Sequence, residues 1–439
     1  MAVKARLERT ERTERTERTK KTEKKKGKRW LAAVCAAVMT AYALPVRADE
    51  TGAQVIVDAE SGETAAQATS EEVPVWAAAD EAVPADVSAL EVGGKSAILI
   101  ELSSGQVLFE KNPHEKLPIA SVTKVMTLLL IMEAEANGLL TFDEPVTCSA
   151  HAASMGGSQI WLEEGETMTV HELLKAIAVV SANDACAMMA ERISGSEEGF
   201  VARMNERAAE LGMNDTLFTD CCGLDEAAYS SAYDVALMSR ELMKHPKITE
   251  YTTIWMDTLR DGKSQLVNTN KLVRHYSGAT GLKTGTTSKA GHCLSATASR
   301  EGMGLCAVIL GCATTDERFG GARKMLDYGF ANYAVYTPQV DESALTPVRV
   351  LRGVETAVQP QMDALSPLLI KKGQEKEITQ SFELAENLEA PVYERQIIGK
   401  LTLTLDGGVA AEYDVYAARA VERLSFGRAF ARLFAALVA

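Results

Sequence analysis

The chain has 439 residues, 46% hydrophobic and 24% charged, with a formal net charge of -14. That length predicts two or three domains, and the apolar share is ample for a buried core. The acidic balance excludes a nucleic-acid binder, which needs a basic footprint.

The charge is unevenly spread. The first 48 residues hold 14 of the 46 Lys/Arg and 5 of the 60 Asp/Glu, so the rest carries 32 against 55, a net of -23. The basic start precedes an apolar run from Trp30 to Leu44, too short to span a membrane comfortably as a mature helix. Val46-Arg47-Ala48 then offers small residues for a cut before Asp49. Residues 1–48 therefore read as a secretory signal peptide. Its basic n-region is low in complexity, with four copies of Glu-Arg-Thr between Glu8 and Thr19. An uncleaved N-terminal anchor is the alternative. Cys35 could suggest a lipoprotein, but Val34 before it is bulky for such a site. Residues 49–94 hold 11 acidic side chains and no Lys or Arg, the composition of a disordered spacer.

Order is expected from about Lys95. Ala97–Ile100 and Val107–Phe109 flank Ser103-Ser104-Gly105, a hairpin pattern. Pro118 precedes a helix running to Glu135 and stopped by Asn137-Gly138, with Ser121 in its first turn. Val170–Val180 and Asp184–Ile193 read as helices, with Ser181-Ala182-Asn183 between them. Strands follow at Leu282–Thr287, His292–Ser299 and Leu305–Leu310, then a helix from Asp316 to Tyr333. Strands, helices, strands and a final helix predict one mixed α/β domain over residues 95–335. From residue 346 to 416 the alternation is β-like, as in Val348-Arg349-Val350 and Ile397–Leu405, and predicts a small all-β domain. In residues 419–439, Phe426, Phe430, Leu433, Phe434 and Leu437 share one helical side, while Ser425, Arg428 and Arg432 face the other. That tail reads as an in-plane membrane anchor, with a helix packed on the β domain as the alternative.

Eight cysteines become seven if the signal peptide is removed. Seven is odd, so at least one stays unpaired within the chain. Adjacent Cys221 and Cys222 are poor bridging partners. Most of the seven read as buried small hydrophobes, and an exported chain rich in free thiols suggests a reducing habitat.

Three motifs carry the chemistry: Ser121-Val122-Thr123-Lys124, Ser181-Ala182-Asn183 and Lys283-Thr284-Gly285. They lie 60 and then 102 residues apart. Ser121 and Lys124 are one helical turn apart, an amine beside a hydroxyl, the minimum for an activated serine. Lys124 can act as base if desolvation and a second cation, Lys283, lower its pKa. Ser181 would relay the proton to a leaving amine, and Asn183 would hold the substrate backbone or Lys124. The N–H groups of Ser121 and Thr286 would form an oxyanion hole. The strand Lys283-Thr284-Gly285-Thr286 offers one charge and two hydroxyls, which suit a free C-terminal carboxylate and so a carboxypeptidase rather than an endopeptidase.

Singly, each residue has a plainer reading: a helix cap for Ser121, solvated lysines, turn residues at Ser181 and Asn183. Jointly, in order and on fitting elements, they do not. Other chemistries lack their residues. His171-Glu172 begins like a zinc-protease motif, but position 175 is Lys, so no metal site forms there. There is no C-x-x-C pair and no P-loop, and no cofactor is expected.

At these motifs the chain resembles the low-molecular-mass penicillin-binding proteins, specifically the serine-type D-alanyl-D-alanine carboxypeptidases. The resemblance runs from about Lys95 to Tyr416. Leu211-Gly212-Met213-Asn214, Asp220-Cys221-Cys222-Gly223-Leu224 and Asn268-Thr269-Asn270-Lys271-Leu272 extend it. Thr280-Gly281-Leu282 leads into the third motif as in that family, and Tyr251–Thr287 is similar to its Gram-positive, clostridial branch. Ala182 departs mildly from the glycine often found there. The N-terminal repeats and acidic spacer have no family counterpart, which leaves the native start open.

The resemblance implies a penicillin-binding/β-lactamase-like α/β fold: an antiparallel sheet flanked by helices with a helical subdomain, followed by a β domain and an anchoring helix. It implies removal of the terminal D-alanine from peptidoglycan pentapeptide through a Ser121 acyl-enzyme, and acylation by β-lactam antibiotics. The expected location is the outer face of the cytoplasmic membrane, facing the cell wall. A class A β-lactamase shares the motifs but needs a glutamate in an E-x-x-L-N loop. Glu210-Leu211-Gly212-Met213-Asn214 comes close, yet its fourth residue is Met. A non-catalytic wall-binding scaffold is the other alternative.

Overall fold

The computed structural model describes residues 54–55, 73–78 and 83–438. The signal-peptide reading, Cys35 and most of the expected spacer lie outside the described residues. Of residues 1–55 only the two-residue strand Gln54–Val55 is described.

Within residues 56–439, a five-stranded antiparallel sheet forms the centre of the α/β domain. Its strands are β1 (Ser96–Glu101), β2 (Val107–Lys111) and, after the helices, β5, β6 and β7. The helices between are α1 (Lys124–Ala136), α2 (Val170–Val180), α3 (Asn183–Ser194), α4 (Glu197–Glu210) and α5 (Ala232–Met243). A hairpin of β3 (Met256–Leu259) and β4 (Ser264–Val267) precedes β5 (Ala279–Thr287), β6 (Gly291–Arg300) and β7 (Met303–Cys312). Helix α6 (Thr315–Asn332) then closes the domain. The sheet order is β2-β1-β7-β6-β5, so the first hairpin returns to pair with the last strand made. The strand β5, which carries the third motif, lies at the sheet edge.

Both faces of the sheet are covered. Along β1, Ile98 and Ile100 point into the helical layer around α1 and α2, whereas Ala97 and Leu99 join α6 on the other face. Along β7, Cys306, Val308 and Leu310 alternate in the same way with Leu305, Ala307 and Ile309. Two buried faces explain why these strands read as unbroken apolar runs instead of apolar-polar alternation. Helix α1 is buried at every position from Lys124 to Met132, the signature of a helix enclosed on all sides.

The expected spacer is ordered over its described C-terminal part. Trp76, in a helical turn over Val75–Ala78, is buried and stacks on Phe319 at a 5.0 Å centroid separation. Leu90 and Val92 join the same core. An acidic stretch can hold one aromatic anchor, and composition averaged over 46 residues hides it.

The chain continues into β8 (Tyr333–Tyr336) and a β domain. Its strands are β9 (Val348–Leu351), β10 (Leu368–Lys371), β11 (Thr379–Leu384), β12 (Asn387–Glu389), β13 (Ile397–Leu405) and β14 (Gly408–Ala417). Strands β11, β13 and β14 form an antiparallel meander around a small core that includes Leu401 and Leu403. Helix α7 (Phe426–Val438) ends the described chain. The tail is therefore not helical from residue 419. Val421 is buried and pairs with Val392, and Arg423 pairs with Gly353, which holds residues 421–423 extended on the β domain.

All seven described cysteines are buried.

Candidate active site

Ser121 does not sit in the α-helix proper. It lies in a 3-10 turn, Ala120–Thr123, that leads into α1. Ala120 enters this turn with a φ of 47°, a conformation that non-glycine residues adopt only where the surroundings enforce it. Here the neighbouring strand enforces it. A Cβ on Gly285 would stand 2.6 Å from the Ile119 carbonyl and 2.9 Å from the Ser121 N–H nitrogen. Only glycine lets β5 run this close to the turn.

Lys124 begins α1 and is wholly buried. Its Nζ donates to Ser121 Oγ at 2.9 Å and to the Cys222 carbonyl at 2.8 Å. The carbonyl is held by a loop built on Asp220, whose carboxylate accepts from the N–H groups of Cys222, Gly223 and Asp225. The two-residue gap of the motif thus becomes a direct contact, with a second acceptor fixing the amine.

The second motif occupies the corner between α2 and α3. Ser181 ends α2 in the left-handed region, with a φ of 64°. Asn183 opens α3; its N–H donates to the Ser158 carbonyl and its Nδ2 to the Gly156 carbonyl, both at 2.7 Å. Asp184, read from the sequence only as the start of a helix, ties the corner together. Its buried carboxylate accepts from Ile160 N and Leu162 N at 3.0 Å each. Burial pushes its pKa up, outweighing these backbone donors. Among the described residues, Ser181 Oγ, Ser158 Oγ and Asn183 Oδ1 are buried without a hydrogen-bond partner. Buried polar groups are rarely left so, and three together mark a place for a polar ligand.

A cleft of about 320 Å³ is lined by Ser121, Gly157, Ser158, Asn183, Gly223, Leu224, Thr286, Thr287 and Ser288. Ser121 of the first motif, Asn183 of the second and Thr286, the residue after the third, therefore meet in one cavity. Lys283 and Thr284 stand differently. Both are buried and neither lines the cleft; Lys283 Nζ donates to the Thr284 carbonyl at 3.0 Å, and the Thr284 hydroxyl pairs with Thr269 Oγ1 at 2.7 Å. The Thr284 hydroxyl, expected to help hold a ligand, is engaged with Thr269, a neighbour that no local pattern announces. Lys124 and Lys283 both act on the Cys186 thiol, where burial nevertheless pushes the pKa up.

Arg318 was also missed. It is 5% exposed, and its Nη1 donates to Thr286 Oγ1 at 3.1 Å. An arginine on a helix of mixed composition, 35 residues after Lys283, gives no local signal.

A serine bonded to a buried lysine, beside a cleft floored by an edge strand, defines a serine-type acyl-transfer class. Family models make it specific. One for D-alanyl-D-alanine carboxypeptidases matches residues 83–314, and one for the C-terminal domain of penicillin-binding protein 5 matches residues 336–423. The D-alanyl-D-alanine carboxypeptidase DacF of Bacillus subtilis is 44% identical over 337 residues, 76% of this chain and 87% of that protein. The D-alanyl-D-alanine carboxypeptidase DacC of Escherichia coli is 32% identical over 73% of this chain and 82% of its own length. Penicillin-binding protein 5 of Haemophilus influenzae superposes with a TM-score of 0.66 at 30% identity, covering 76% of this chain and 98% of that one. The chain belongs to the D-alanyl-D-alanine carboxypeptidase family, whose members are serine-type enzymes and penicillin-binding proteins. This membership favours the carboxypeptidase over the β-lactamase and scaffold alternatives.

Proposed function

We propose that Ser121 is the nucleophile that removes the terminal D-alanine from peptidoglycan stem peptides. The observation that carries this is the 2.9 Å bond from Lys124 Nζ to Ser121 Oγ inside the cleft. Lys124 takes the Ser121 proton as Oγ attacks the carbonyl carbon of the penultimate D-alanine. The negative charge that develops on the carbonyl oxygen is met by the N–H groups of Ser121 and Thr286. One such donor is worth ~10²–10³ in rate. The tetrahedral adduct collapses, the C–N bond breaks, and the leaving amine gains its proton through Ser181. The remaining acyl group stays on Ser121 until water, deprotonated by the same lysine, hydrolyses the ester. Asn183 holds the substrate backbone. Thr286 donates to the substrate's free carboxylate, and Lys283, on the same strand, adds charge. β-Lactams acylate Ser121 by the same first step.

We place the working enzyme outside the cytoplasmic membrane, facing the wall, exported by residues 1–48 and held at the lipid surface by α7. Phe426, Phe430, Leu433 and Phe434 are 60–86% exposed on one side of α7. Arg428 and Arg432 meanwhile reach Glu422 and the Val354 carbonyl. The basic side is thus tied to the β domain and the apolar side is left outward, which supports lipid contact over packing on that domain. No helix among the described residues is long and apolar enough to cross a membrane.

Two measurements test the site. A Ser121→Ala protein should lose labelling by a fluorescent penicillin and release of D-alanine from a pentapeptide. Undiminished release would place the nucleophile elsewhere. A Lys283→Ala protein should lose more activity on a free-carboxylate substrate than on its amide. Equal losses would remove Lys283 from carboxylate binding.

A further inference from the structure

Thr286, which lines the cleft, also has two polar neighbours outside the cleft lining. One is Arg318, which donates to its Oγ1. The other is His292, its partner across β5 and β6, whose Nδ1 lies 3.4 Å from Thr286 Oγ1 and 3.5 Å from Thr315 Oγ1. A threonine hydroxyl has one proton to give and two lone pairs to offer. Arg318, always charged, occupies one lone pair. What His292 does with the other decides where the hydroxyl proton points.

Neutral imidazole with its proton on Nε2 is an acceptor at Nδ1. The Thr286 O–H can then turn toward the ring and away from the cleft. Protonated imidazole is a donor at both nitrogens. Its Nδ1–H then takes the second lone pair, and the Thr286 proton has only the cleft side left to point to. We propose that His292 is a positioning residue that makes the grip of Thr286 on a substrate carboxylate depend on pH, tightening it when the imidazole gains a proton. This rests on the reading of Thr286 as a carboxylate-binding residue.

The groups that face His292 set where the switch lies. Burial lowers its pKa from 6.5, the Arg318 charge on α6 lowers it further, and Glu317 on the same helix opposes both. From β7, Cys312 stands opposite, its thiol pushed up by burial to about 12 and so uncharged. From β5, Thr286 brings no charge of its own. A carboxylate held by Thr286 is a further anion near the ring, so its binding must raise the imidazole pKa by the same linkage through which protonation improves binding.

The Ser121→Ala protein separates binding from turnover. Its Kd for an N-acylated D-alanyl-D-alanine peptide, measured by calorimetry, should fall about 3- to 10-fold from about pH 7.5 to about pH 5, the net scale of one ordinary hydrogen bond. His292→Gln in that background should flatten this dependence, and the amidated peptide should not show it. Thr286→Val should weaken binding at every pH and abolish the dependence. A second readout needs no change at His292: its ring titration by NMR should move to higher pH when the peptide is bound. An unmoved titration, or a His292→Gln protein with the parental pH dependence, overturns the proposal while the carboxylate reading stands. If Thr286→Val binds as tightly as the parent, the carboxylate reading itself fails.

Discussion

Asp184 performs no chemistry, yet it shapes the cleft. It holds Ile160 and Leu162 on either side of Trp161, which has a φ of 51°. Removing the carboxylate leaves two buried N–H groups unpaired, at about 1–3 kcal/mol each. Asp184→Ala should therefore lower the melting temperature and slow penicillin acylation together, whereas a fall in stability alone would detach this loop from the site. Ser121, Lys124, Ser181, Asn183, Lys283 and Thr286 could be singled out as candidates because a side chain's chemistry can be read from its letter and spacing. Asp184, Arg318 and the Cys222 carbonyl were not. A carboxylate that binds backbone N–H groups looks like any helix-opening aspartate, and a carbonyl acceptor has no letter at all. The Thr269 partner of Thr284 was not legible for a related reason, since the letter names a hydroxyl and not the neighbour that engages it.

At the scale of elements, the edge strand pressed against the 3-10 turn sets the spacing between Ser121 and Thr286. A methyl group at position 285 has nowhere to go but into the Ile119 carbonyl. Gly285→Ala should fold, because β6 still pairs with β5, but should acylate ~10²-fold more slowly through loss of an oxyanion donor's alignment. Acylation at the parental rate would show that the strand yields without consequence. The helical turn at Trp76 makes a separate prediction. Trp76→Ala should cost about 3–5 kcal/mol, seen in denaturant unfolding, with the cleft intact. The long helices and central strands were legible from period and capping: α1 ends before Asn137-Gly138 as expected. The Trp76 turn and the extended start of the tail depend on single tertiary contacts, which periodicity does not encode.

For the molecule as a whole, the proposed role of α7 is attachment and not chemistry. Removing residues 426–439 should release the protein from anionic lipid vesicles in a sedimentation assay and leave penicillin labelling unchanged. Continued sedimentation would assign attachment to another segment. The buried thiols have a different use. Burial pushes Cys148 to about 11, and Cys306 and Cys312 to about 12, and a thiol reagent needs both thiolate and access. In the native protein each cysteine can be modified only when its surroundings open. The rate of modification at each position therefore counts excursions of that region out of the native state. Cys221 and Cys222 would time the loop that holds Lys124, and Cys306 the central strand. The chain thus carries its own set of clocks for local unfolding, placed by the packing of the core.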